Sequence, residues 1–132
     1  MSAKASNEID GMPHRRRVLG DAWVDKAQAN RNAFNSDFQD LITRHAWADI
    51  WGRPALGDKT RRFMVLSTLV ALGAWEEFEM HVHAALDAQP DSRLSADDIK
   101  EVLLQAAVYC GVPAANHAFK LAGAILKEKG LL

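Results

Sequence analysis

Apolar residues recur along this chain at intervals of three and four, in stretches of helical length punctuated by glycine, proline and short polar runs. The first stretch predicts a helix from Pro13, with proline in the first turn and Val18, Leu19, Trp23 and Val24 apolar. Gly20-Asp21 is placed to split it in two. Ser36 or Asn35 is placed to cap a second helix whose apolar positions are Phe38, Leu41, Ile42, Trp47, Ile50 and Trp51. It should stop before Gly52-Arg53-Pro54, because the residue ahead of a proline avoids helical geometry. Asp58 caps a third, running from Lys59 to about Leu72, and Gly73 marks its end. A fourth covers Ala74 to about Ala88. Ser95-Ala96-Asp97-Asp98 reads as a capping box with Asp for the usual Glu, opening a fifth helix with Ile99, Val102, Leu103, Ala106 and Ala107 inward. After Gly111, Pro113 opens a sixth, rich in alanine. No strand-like alternation interrupts this series. The expectation is an all-α fold of about six helices, residues 13–132 forming one domain behind a loose polar arm over 1–12.

Composition narrows the function classes. At 132 residues the chain is long enough to bury a core, and 48% hydrophobic against 25% charged residues suits a globular protein. A formal net charge of −1 gives no reason to expect a nucleic-acid partner. The longest apolar run, 63–74, is too short to span a bilayer, and the first residues lead into no signal-peptide core, so a cytoplasmic protein without a membrane partner is expected. The lone Cys110 excludes an intrachain disulfide and a CxxC pair. The basic run His14-Arg15-Arg16-Arg17 reads as a solvated face or an oligomer contact rather than a phosphate site.

The candidate chemistry centres on 74–83. Glu77 and His81 are one helical turn apart and share a face, where a carboxylate can fix the tautomer of an imidazole and raise its basicity. A surface Glu–His pair is the alternative. His81 and His83 point apart on a helix and cannot chelate one metal, so no metal is expected. Arg44, Arg53, Arg61 and Arg62 are available to meet the imidazole, and guanidinium groups suit an anionic, carboxylate-bearing substrate.

Asp58-Lys59-Thr60-Arg61, Leu69-Val70-Ala71-Leu72-Gly73, Glu77-Phe78-Glu79-Met80-His81, Glu101-Val102-Leu103-Leu104-Gln105 and Tyr109-Cys110-Gly111-Val112-Pro113-Ala114-Ala115-Asn116 together resemble the carboxymuconolactone decarboxylase family. So do Asn35-Ser36-Asp37-Phe38-Gln39 and the stretch from Ala46-Trp47 through Trp51-Gly52-Arg53-Pro54. The resemblance covers roughly residues 15–127. It implies the alkylhydroperoxidase D-like helical fold and a ring-shaped homo-oligomer, trimer-based and commonly a hexamer. It also implies a cofactor-free carboxy-lyase of protocatechuate breakdown, converting 4-carboxymuconolactone to 3-oxoadipate enol-lactone. In the peroxidase branch of that fold the helix carries C-x-x-C-x-x-x-H; counted back from His81, its cysteines fall at Ala74 and Glu77, so a thiol-dependent antioxidant function is disfavoured. A related lyase or isomerase acting on another acidic lactone stays open. On this resemblance His81 and Glu77 are the catalytic candidates, with His81 donating a proton or polarising the lactone carbonyl and Glu77 orienting and charging it. Arg61 and Arg44 would clamp carboxylates and Trp47 would wall the leaving carboxylate, with a salt bridge (Arg61) and packing (Trp47) as the alternatives.

Overall fold

The computed structural model describes residues 3–132, with side chains from residue 11 onward. Every regular element among the described residues is helical: α1 (Ala3–Leu19), α2 (Asp21–Ala29), α3 (Ser36–Ile42), a wider π-helical segment (Thr43–Trp51), α4 (Asp58–Leu72), α5 (Trp75–Asp87), α6 (Ala96–Tyr109) and α7 (Val112–Glu128). They fall into two compact units, Met1–Asp58 and Lys59–Leu132.

In the N-terminal unit, α1 packs chiefly against the π segment. The expected arm, 1–12, lies outside the described residues at positions 1 and 2; from Ala3 on it is helix, and Pro13 sits within α1 rather than at its start. The predicted break at Gly20 is present. Gly20 has φ +90°, a conformation L side chains resist, and α2 begins at the next residue. The approach of α1 to the π segment is close enough that a Cβ on Gly11 would collide with the carbonyl oxygen of Thr43. The predicted second helix changes its winding after Ile42. Thr43 Oγ1 donates to the carbonyl of Gln39 at 2.7 Å, and the wider turn begins there. Neither predicted cap closes α3: Asn35 occupies the N-cap position, but its side chain accepts from the Asn32 amide instead.

The C-terminal unit has one continuous core. Leu66 and Val70 of α4, Phe78, Val82 and Ala85 of α5, Ile99 and Leu103 of α6, and Ala118 and Ala122 of α7 are buried in it. The junction between α4 and α5 is a Schellman-type stop: Gly73, at φ +66°, donates to Val70, and the Ala74 amide donates to Leu69 at 3.0 Å. That geometry starts α5 immediately and fixes its phase, with Phe78 and Val82 inward. The capping box predicted for α6 is formed in both directions, Asp98 N–H to Ser95 Oγ at 3.0 Å and Ser95 N–H to Asp98 Oδ2 at 2.9 Å. No helix among the described residues is long and apolar enough to cross a membrane.

Candidate active site

The phase of α5 sets the environment of its histidine. Position 81 flanks the core residues Phe78, Val82 and Ala85, and His81 is only 8% exposed. Its Nδ1 is buried and has no hydrogen-bond partner among the described residues. Burial, with the positive charge of Arg62 adding to it, lowers its pKa from 6.5 to about 4, so the ring is neutral at pH 7. In that form it has one N–H donor and one bare nitrogen.

Glu77 behaves otherwise. It lies in the first turn of α5, where the positive end of the helix favours an acid, and its side chain is exposed. The expected Glu77–His81 brace is not formed in this structure, and His81 shifts toward neutrality instead of being charged. Helical spacing puts the two residues on one side of α5, but one turn of depth separates solvent from core.

Two arginines enter from the start of α4. Arg61 is half-buried, and its buried Nε has no hydrogen-bond partner among the described residues. Arg62 is 1% exposed, its Nε donating to the carbonyl of Ser92 at 3.1 Å. The sequence singles out Arg61, whereas Arg62 is the arginine whose charge acts on His81. A signal for this was present: Arg62, Leu66 and Val70 recur every four residues, so periodicity alone puts Arg62 on the buried face of α4.

The other two candidates lie in the N-terminal unit, both on the π segment. Trp47 is 7% exposed, its ring centroid 5.8 Å from that of Trp51, and its indole Nε1 is buried without a hydrogen-bond partner among the described residues. Arg44 is half-buried. Buried donors are nearly always satisfied in folded proteins, so an orphaned imidazole, guanidinium or indole nitrogen wants an explanation. Three of the five candidates, His81, Arg61 and Trp47, carry one. No group of three or more His, Cys, Asp or Glu side chains able to hold a metal ion occurs among the described residues.

Comparison with known proteins places this helical chain. The carboxymuconolactone decarboxylase family model matches residues 36–124, a span that holds all five candidates. The chain belongs to that family and is a decarboxylase of it. It is 36% identical over 121 residues to 4-carboxymuconolactone decarboxylase of Acinetobacter baylyi, covering 92% of this chain and 87% of the relative. It is also 34% identical over 125 residues to a nitrosuccinic acid decarboxylase of Metarhizium robertsii, covering 89% of this chain and 85% of that one. A 4-carboxymuconolactone decarboxylase of Pseudomonas putida is 56% identical over 39 residues, 30% of this chain and 81% of that sequence.

Proposed function

We propose that this protein decarboxylates 4-carboxymuconolactone to 3-oxoadipate enol-lactone without a cofactor. The observation that carries this reading is the pair of buried, unpartnered nitrogens on His81 and Arg61 of the C-terminal unit, which an oxygen-rich anion with two carboxylates and a lactone carbonyl would satisfy. In the reaction the bond from the ring carbon to its carboxylate breaks and CO2 leaves. The electron pair moves through the ring double bond onto the lactone carbonyl oxygen, giving a dienolate that then takes a proton at its α-carbon. The substrate is its own electron sink, so the protein binds a dianion, stabilises the developing oxyanion and lets a proton in.

The roles follow from the environments. A ring with a pKa of about 4 is a poor proton reservoir at pH 7, which favours the second of the two roles open to His81: polarising the lactone carbonyl by a hydrogen bond from the neutral imidazole. The charge of Arg62 in the same unit supports an oxyanion beside that ring. Arg61 and Arg44 hold carboxylates, and Trp47 offers its indole N–H beside an apolar wall. Glu77, exposed one turn before His81, is assigned to the solvent side, where a carboxyl group passes the incoming proton. The homo-oligomer is part of the same reading. Supporting it is an open, mainly apolar groove of about 700 Å³ between α4 and α6, lined by Phe63, Met64, Val102 and Tyr109, with Tyr109 82% exposed.

The similarity to a nitrosuccinic acid decarboxylase favours one second reading. Nitrosuccinate also carries two carboxylates and its own sink, since the pair left by CO2 moves onto the nitro group to give a nitronate. The full chain, incubated without added cofactor with each compound in turn, distinguishes them by loss of substrate absorbance and by released CO2. Consumption of the lactone with one CO2 per turnover supports the proposal. Turnover of nitrosuccinate alone transfers the site to nitro acids, and turnover of neither overturns both.

A further inference from the structure

The arginine-rich end of α1 does not behave as a solvated face throughout. Arg16 donates to Asp21 and Asp25, Arg17 to Asp58, and Arg31 of the same unit to Asp40. Arg15 is the most buried of the four, at 3% exposure, and forms no ion pair with a carboxylate among the described residues. Its Nη2 donates to Gln39 Oε1 at 2.8 Å and its Nη1 reaches Thr43 Oγ1 at 3.4 Å, both neutral acceptors. Its Nε is buried with no hydrogen-bond partner among the described residues. Burial, followed by the positive charges of Arg31 and Arg16, depresses its pKa. A guanidinium taken out of water without a counter-charge is among the least favourable arrangements a fold can hold, and a structural role alone is met as well by an apolar side chain of the same length.

We propose that Arg15, with Gln39 and Thr43 beside it, is a carboxylate-binding site of the N-terminal unit. The unpaired Nε–H is one of the two donors with which arginine meets a carboxylate side-on, a free N–H of the fork being the other, while Gln39 and Thr43 hold the fork in place. Closed over as it is, the guanidinium is reached only as the unit opens locally. The site belongs to this unit by itself and does not depend on the assignment of His81.

The experiment uses the full chain labelled with 15N-arginine, the Arg15 Nε–H resonance being assigned by its loss in Arg15→Lys. Succinate is the probe, titrated against sodium chloride of equal ionic strength. The Arg15 Nε–H resonance should move saturably with succinate and not with chloride. In a His81→Ala, Arg61→Ala background, which removes the dianion-binding groups proposed above, thermal stabilisation by succinate should need at least about tenfold more ligand once Arg15→Lys is added, which keeps the charge but loses the fork. In that background Arg15→Met should abolish the response to succinate, while the melting temperature without succinate should match or exceed that of its parent. A resonance that succinate leaves unmoved, or that chloride moves equally, overturns the proposal. So does an Arg15→Met protein in that background that keeps its parent's full succinate response. The wild-type titration decides the matter even where a variant fails to fold.

Discussion

Acidifying this protein from pH 7 to pH 5 brings protons to a histidine that the fold keeps neutral. His81 has a pKa of about 4 in the folded chain, against 6.5 when the ring is free in water. The unfolded chain therefore binds more protons than the folded one between those two values, so stability is fully present above pH 6.5 and declines as pH falls toward 4. With these two pKa values the loss is about 2 kcal/mol between pH 7 and pH 5 and about 3 kcal/mol by pH 4. For a chain of this size the first figure corresponds to a fall in melting temperature of roughly 6–10 °C. The lowered pKa of Asp98 does not interfere: hydrogen bonding from the Ser95 backbone is its main cause, so its contribution is lost only below the ordinary carboxylate range. The assay is urea unfolding at pH 7, 6 and 5, with His81→Gln beside the wild type, because the amide keeps polar character but does not titrate. The wild type should lose stability over that window and the variant should lose little. Parallel curves would refute the claim that the ring is buried in its neutral form.

Three further outcomes follow from the geometry. Glu77→Gln, at an exposed position with no side-chain hydrogen bond to His81, should reduce kcat less than about tenfold and move the acidic limb of the pH–rate profile; a loss as deep as that of His81→Ala would contradict the solvent-side role. Ser95→Ala removes one half of the α6 capping box and should cost about 1 kcal/mol in chemical denaturation with kcat unchanged. Gly11→Ala drives a methyl group into the Thr43 carbonyl, leaving it 2.8 Å from Thr43 Cγ2; it should destabilise the chain by about 1–3 kcal/mol, and a calorimetric melt unchanged from wild type would show that α1 does not approach the π segment so closely.

Much of this architecture was legible in the sequence wherever a local signal has one physical cause. Ser95 and Asp98 satisfy each other's amides whatever surrounds them, and Gly20, Gly73 and Gly111 adopt positive φ at the ends that were expected. The start of α1 was not legible, because residues 3–12 show no apolar stripe and Pro13 imitates a first-turn residue. The change of winding at Thr43 was hidden for another reason: over two turns, an apolar pattern fits a π-helix as well as an α-helix. For the candidate site, spacing placed Glu77 and His81 on the same side of α5 but carried no information on depth, and depth decides both protonation and contact. Arg62 was in view as one of four arginines; its periodicity with Leu66 and Val70 marks it as buried, and its charge acts on the ring.

The central claim is that a neutral, buried imidazole supplies the decisive hydrogen bond to a substrate carrying its own electron sink. Steady-state turnover of 4-carboxymuconolactone by the wild type and by His81→Ala, at matched protein concentration and without added cofactor, tests it most directly. The account predicts a fall in kcat of about two to four powers of ten with the helical content unchanged. A variant that keeps near-normal kcat would contradict it.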